Sequence, residues 1–437
     1  MKKLHRTKNF SYGDSTVKAL HKSLNDTISA GVSEGITQEM PAAMTRKLKN
    51  DVFVFSGMKT YAELKEASGL LLNTDGTVKP FAQFSDDVQK INNTYNQSYL
   101  QAEYNFAVAS SQQAGNWANI DMDKELQYRT AEDDRVRPEH AALDKITLPA
   151  RDNFWNNYYP PNGWNCRCVA IEVNAGKYPQ SNPSEAEKLG QAATTQLDKN
   201  GNNAAAIFRF NPGKQEVIFP PSHPYYGQHC TGAKLNITGL LGKAKIVLAN
   251  EEEKCQWQNE LKKQLPLHPS DPDFAKRYDN VEFKKEDDIQ NGGVLEVPTN
   301  ATQNKHEFEK NKNTLTVLAN KGLKYRMMPV INDGSSNPDA LNLANNQWAD
   351  VKNAQSKIFG NIISNSFKEA TKQGASEVII NLPQMPTSKE AYRELKGSLN
   401  PKVNKHIKNI VFVYGNDYKQ YDVDKLRARM YNKKSSD

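Results

Sequence analysis

The 437-residue sequence has no apolar run near the roughly eighteen residues that span a bilayer, which excludes a membrane-spanning helix. Its start, "MKKLHRTKNFSYGDSTVKAL", is basic but lacks the apolar centre of a secretory signal. Synthesis in the cytosol follows, and anything that takes the chain into another cell must be supplied from outside it. Cysteine is scarce: Cys166, Cys168, Cys230 and Cys255 are the four, too few for a disulfide framework. Charge of one sign is not in large excess either. The net charge of +7 and pI near 8.9 suit a polyanionic partner without requiring one. There is no internal repeat of fixed period. What the sequence does have is length, enough for two to four domains, and a polar make-up of 24% charged and 37% hydrophobic residues with a mean hydropathy of −0.76.

Four stretches differ in texture. Residues 1–115 carry apolar residues at three- and four-residue spacing, as in "STVKALHKSLNDTISAGVSEGI", and read as a mainly helical region. Residues 116–250 begin with a run dense in Arg, Asp, aromatics and Pro that reads as an irregular α+β module ending in the strand "CRCVAIEV". A later block ending "FPPSHPYYGQHCTG" would pack back on it. Residues 251–290 mix charge with Pro and read as a connector. Residues 291–437 alternate helical and strand patterns and read as an independent α/β domain with a mixed central sheet.

Within that last block the expected order is α-β-β-β-α-β-α-β. Helices fall at 303–322, 357–374 and 388–406. Strands fall at 323–331, 338–344, 347–353, 375–382 and 407–415. The first helix would bury Phe308, Leu315, Leu318 and Ala319. "PDALNLA" and "QWADVKN" form a hairpin across Asn345-Asn346, which lets Asp339 and Asp350 face one metal ion. Lys352, two residues on, projects from the same side. Two carboxylates and a lysine on one sheet face suit phosphodiester hydrolysis with a divalent cation such as Mg²⁺. Glu307 or Glu309 would complete the ligand set; they lie about 200° apart on a helix, so one of them can face the site. Gln355 reads equally as a site-lining residue or an exposed helix start. Lys357, Lys368 and Lys372 read either as backbone-tracking cations or as solvated surface.

The string from "NKHEFEKNKNTLTVLANKGLKYRMMP" through "NPDALNLANNQWADVKNAQ" to "NIISNSFKEATKQGASEVIINL" resembles the PD-(D/E)xK, or restriction-endonuclease-like, nuclease superfamily. More narrowly, it resembles the C-terminal nuclease domains of contact-dependent growth-inhibition toxins. That resemblance implies catalytic and metal-binding roles for Asp339 and Asp350, a catalytic role for Lys352, and a part for Glu307 or Glu309. It also implies Mg²⁺, Mn²⁺ or Zn²⁺ as cofactor and tRNA ahead of DNA as substrate.

"YRTAEDDRVRPEHAALDKITLPARDNFWNNYYPPNGWNCRCVAIEV" resembles the minor head protein domain of Mu-like phages, on Arg129, the Arg135 to His140 run, Pro160 to Trp164 and Cys166 to Cys168. His140, Cys166 and Cys168, with His223, His229 or Cys230, offer ligands for Zn²⁺. The rival is a packed thiol pair with His140 hydrogen-bonded to its loop. Asp133, Asp134, Arg135 and Arg137 read as ion pairs bracing that loop.

Together the two resemblances imply a phage-borne polymorphic toxin. A head module would meet phage portal and head proteins, and a nuclease would act in the cytoplasm of a target cell. A cognate immunity protein, acidic in character, would protect the producer. The alternatives are a structural head morphogenesis protein with a non-catalytic C-terminal domain, and a nuclease that processes phage DNA in packaging.

Overall fold

The first 120 residues form long helices at Ser15–Gly35, Ala42–Gly69, Phe81–Asn93 and Leu100–Asn119; the first and third are amphipathic, whereas the second is buried on nearly all sides. In the computed structural model the chain divides into two units, residues 1–265 and 266–437. The structure describes all residues except 1, 38–39, 228–229, 231–241, 301–304, 334, 355, 357, 401–403 and 432–437, and except the side chains of 3, 42 and 242–249. Gln355, Lys357 and His229 therefore lie outside the described residues. No described helix is long and apolar enough to cross a membrane.

In the first unit, Ile28, Val32, Leu48, Val52, Phe55 and Phe106 from the helices share one core with Phe208, Phe210, Ile218, Phe219, Tyr226, Trp257 and Leu261. This corrects the boundaries expected at 115 and 250. The aromatic block at 208–226 packs on the N-terminal helices. Helix Gly242–Lys262 adds Trp257, whose indole donates to Gly57 O at 3.1 Å. A second core belongs to a three-stranded sheet of β1 (Glu125–Arg129), β2 (Thr147–Pro149) and β3 (Val169–Val173), in the order β2-β1-β3. Tyr128, Leu148, Trp155 and Tyr159 fill it. Cys230 and Cys255 form a disulfide, a single cross-link and not a framework.

The second unit is built on an eight-stranded sheet. Its strands are β4 (Phe283–Lys285), β5 (Val294–Pro298), β6 (Lys324–Met327), β7 (Ala340–Asn342), β8 (Gln347–Asn353), β9 (Glu377–Leu382), β10 (Asn409–Tyr414) and β11 (Asp417–Asp422). They lie in sequence order across the sheet. β6, β7 and β8 run antiparallel, and β9 lies parallel to β8. Helix α1 is Lys305–Ala319, α2 is Phe359–Gln373, α3 is Ser388–Ser398 and α4 is Val423–Tyr431. The expected strand at 323–331 is shorter because Pro329 cannot donate to a ladder. The helix expected to 406 stops at Ser398, just before Pro401.

The connector expected over 251–290 is also corrected. Its first part is the helix of the first unit, while Phe274, Tyr278 and Phe283 pack with Met328, Leu341 and Trp348 of the second. α1 buries Leu315, Leu318 and Ala319 as expected, whereas Phe308 is half-buried and Asn311 and Thr314 join the stripe.

β7 and β8 form a hairpin turned at Asn346, whose φ of 59° is left-handed. Its register pairs Ala340 with Ala349, and one step further places Asp339 opposite Asp350. Ala349 and Val351 face the core beneath α1, so Asp350 and Lys352 face the other side of the sheet. On the α1 side, buried Glu377 accepts from Tyr325 Oη at 2.8 Å and from Asn342 Nδ2 at 3.1 Å. Burial raises the pKa of Glu377. Tyr325→Phe should therefore cost this unit about 1–2 kcal/mol, because a buried carboxyl loses a donor. Denaturant unfolding checks this, and a loss within error would mean that the network carries no stability.

Candidate functional site

Pro338 and Asp339 enter β7 from a loop fastened by side chains. Asn337 Oδ1 accepts from Ile331 N at 2.9 Å, and Asn337 N donates to Gln373 Oε1 at 2.8 Å. The Arg277 guanidinium donates to both carboxylate oxygens of Asp333, at 2.9 and 2.8 Å, and to Ser336 O at 2.8 Å. Asp339 Oδ2 then accepts from Val351 N at 2.8 Å, tying it across to β8.

On β8, Asp350 is 1% exposed, and its Oδ2 accepts no well-aligned hydrogen bond. Lys352 Nζ stands 3.1 Å from that oxygen as an ion pair. Burial first, and then the Asp350 carboxylate, push the Asp339 carboxyl up to about 8. Burial raises Asp350 as well. Lys352 is raised overall: its burial works against the charge, but Asp350 and Asp339 outweigh that penalty. Two acids that resist ionisation together, one of them buried with a lysine as its charge partner, form a donor set that a divalent cation fits. The cation would take the place of the proton they otherwise share.

The structure brings Asp339, Asp350 and Lys352 together. It does not bring Glu307 or Glu309 to them: both are exposed, and α1 packs against the opposite face of the sheet. Glu307 does continue the stripe of Asn311 and Thr314, one turn earlier, whereas Glu309 points away from it. On that stripe Thr314 donates to Asn353 Oδ1 at 2.9 Å, and Asn353 Nδ2 donates to Asn311 Oδ1 at 2.8 Å. The acid whose charge reaches the pair is Glu369 of α2, which raises both Asp350 and Lys352. Sequence reasoning missed it because it reads as one more polar residue on a helix. Arg277 was missed for a similar reason, lying in a stretch read as a connector. Lys368 and Lys372 are exposed, the latter 3.9 Å from Glu369.

In the first unit His140, Cys166 and Cys168 are buried and adjacent. Cys166 is held well below its ordinary value, first by its hydrogen bond with Cys168, while Cys168 is raised by the same contact. His223 is elsewhere, in an aromatic cluster with Phe55, Trp164 and Tyr225, and burial lowers it to about 3. Cys230 is committed to its disulfide. Asp133 pairs with Arg167 at 2.6 and 2.7 Å, and Arg137 donates to Trp164 O at 2.6 Å.

Residues 22–171 match the family described as phage Mu protein F like protein. Among similar proteins, one of Escherichia phage Mu, provisionally named capsid assembly protein F, is 38% identical over 78 residues, 17% of this chain and 18% of that protein. The Mu-like prophage FluMu F protein of Haemophilus influenzae is 36% identical over 62 residues, 14% of this chain and 15% of its own length. The matches thus span less than a fifth of either relative. No solved structure is significantly similar to the chain.

Proposed function

We propose that the chain is a phage head-associated protein whose second unit is a metal-dependent nuclease, with tRNA favoured over DNA, acting as a toxin in a target cell. The observation that carries this reading is the pairing of half-buried Asp339 with buried Asp350, with Lys352 on the same face of the β7–β8 hairpin. The order α1-β6-β7-β8-α2-β9, with the last two strands parallel, supports it, since a PD-(D/E)xK nuclease would have that order.

Bound between the carboxylates, Mg²⁺, Mn²⁺ or Zn²⁺ would polarise a phosphoryl oxygen and lower the pKa of a coordinated water. Asp339 and Asp350 would hold that ion, and Val351 N fixes the orientation of Asp339. The Lys352 ammonium, 30% exposed, can reach the solvent side, where it would orient the attacking water and meet the charge that develops on phosphate. Glu369, whose charge adds to the rise of Asp350 and Lys352, would supply the acid expected of Glu307 or Glu309. Glu369→Gln should weaken divalent-cation binding about tenfold, and Glu307→Gln should leave it unchanged. Calorimetric titration with Mn²⁺ distinguishes them; the reverse ranking would return the role to α1.

Expression of the full chain in bacteria, with and without Asp350→Ala, and digestion of total RNA and plasmid by the purified protein, test the reading directly. A head module of this type would also meet portal and head proteins, and a producer cell would carry an immunity protein for the site. One observation favours a second reading, a structural head protein with a non-catalytic second unit: the family match, at residues 22–171, lies within the first unit. Harmless expression and no cleavage of either polymer with any of the three metals would favour it. Cleavage of phage DNA without toxicity would favour a packaging nuclease.

A further inference from the structure

His140 sits in the single-turn helix Pro138–Ala141, and Cys166 and Cys168 flank Arg167 in the loop that leads into β3. Asn165, at φ 57°, is a left-handed residue that turns the chain just before the first cysteine. The loop runs so close to the histidine that a Cβ on Gly163 would stand 3.0 Å from the Arg137 guanidinium and 3.8 Å from His140 Cε1. All three side chains are at least nine-tenths buried.

His140 Nδ1 lies 3.6 Å from Cys166 Sγ and 3.8 Å from Cys168 Sγ, and the three atoms all fall within 4.8 Å of one another. A neutral imidazole nitrogen carries either one proton or one lone pair, so it can satisfy one thiol but not two. A shared cation satisfies all three at once. With Zn–S of about 2.3 Å and Zn–N of about 2.0–2.1 Å, the nitrogen-to-sulfur edge of a tetrahedral site is about 3.6 Å. The observed separations differ from that edge by no more than a few tenths of an ångström. Two thiolates and an imidazole are soft to borderline donors, which select zinc over magnesium or calcium.

We propose that His140 Nδ1, Cys166 Sγ and Cys168 Sγ hold a zinc ion that braces this loop. The fourth position opens on the adjoining cavity of about 630 Å³, which all three ligands line together with Arg135, Arg137 and Arg167. In the free chain that position goes to water. Binding releases to solvent whatever thiol protons the two cysteines still carry, with no change of oxidation state. The ion would link the His140 turn to the strand start at Val169, across a module whose sheet has three short strands. The site is separate from the acid pair of the second unit and does not depend on that unit being an enzyme.

The test uses the full chain, purified reduced and without chelator, then loaded with Zn²⁺ and desalted. One equivalent of zinc should remain, also in Asp350→Asn, which removes a carboxylate of the other site. Co²⁺ in place of zinc should give a thiolate-to-cobalt charge-transfer band and the visible absorption of a tetrahedral ion. Folded Cys166→Ser and Cys168→Ser should each lose at least about 100-fold in zinc affinity. The cobalt spectrum is read on the unaltered chain, so a variant that fails to fold leaves the test standing. A folded, reduced chain that shows no charge-transfer band and retains zinc only where Asp350 is intact would overturn the proposal, leaving a packed thiol pair.

Discussion

Asp350→Ala is expected to cut nucleic-acid cleavage by the full chain by about 10²–10³-fold, the scale on which one group that stabilises developing charge usually acts. Toxicity on expression should disappear with it. The substitution removes a buried carboxylate and leaves Lys352, whose side chain is 30% exposed and can hydrate. The unit should therefore stay folded, which circular dichroism checks. Lys352→Ala separates the two roles. It should lose a comparable factor in rate while keeping the rise in melting temperature that Mn²⁺ produces, whereas Asp350→Ala should lose both. Cleavage that persists in Asp350→Ala would place the chemistry elsewhere.

The second large effect is on stability. Asp339 is pushed up to about 8, above its ordinary carboxylate value, so the folded state binds this proton more tightly than the unfolded chain does. Between about pH 4 and pH 8 the folded unit keeps a proton that the unfolded chain has released. Stability without metal should then fall as pH rises through that window, by at most about 1.4 kcal/mol per pH unit for one proton. Above about 8 this slope ends. A divalent cation displaces the proton, so its stabilising effect should grow with pH over the same range. Asp350 and Glu377 are also raised by burial and add slope of the same sign, so the difference between the unaltered chain and Asp339→Asn isolates the residue. Asp339→Asn should flatten the slope and be the more stable protein at pH 8 in chelator, although inactive. Identical slopes in thermal unfolding from pH 5 to 8 would show that Asp339 ionises freely in the fold.

Much of the second unit is legible in the sequence because its inner elements are strongly patterned. Phe359, Ile362, Ile363, Phe367 and Ala370 recur with the period of a helix, and "VIINL" and "IVFVY" are apolar enough to be inner strands. The outer strands are not legible. β11 reads "DYKQYD" and β4 "FKK", because an edge strand has no need of a continuous apolar face and is safer with charge on it. The first unit's extent was hidden for a different reason. Helix Gly242–Lys262 is charged over much of its length, and Trp257 and Leu261, which reach the core, carry no local signal of what they meet.

The same contrast holds at the candidate site. Asp339, Asp350 and Lys352 could be paired by counting along a hairpin, since alternation and register are local rules. Glu369 and Arg277 could not, because their nearness depends on how α2 and residues 266–283 pack. The choice between Glu307 and Glu309 rested on which face of α1 meets the sheet. The helix meets the face opposite Asp350, which set both aside.

The Asn346 turn gives this site a parity. Loss of a single codon between Asp339 and Asp350 would carry one acid to the other side of the sheet, beneath Leu315 and Leu318, while substitutions in "LNLANNQW" that keep the Asn346 turn and the packing of Leu341 and Trp348 would leave both acids where they are. A lineage could thus change several letters of this hairpin and still keep the pair, yet lose it in one step by miscounting them.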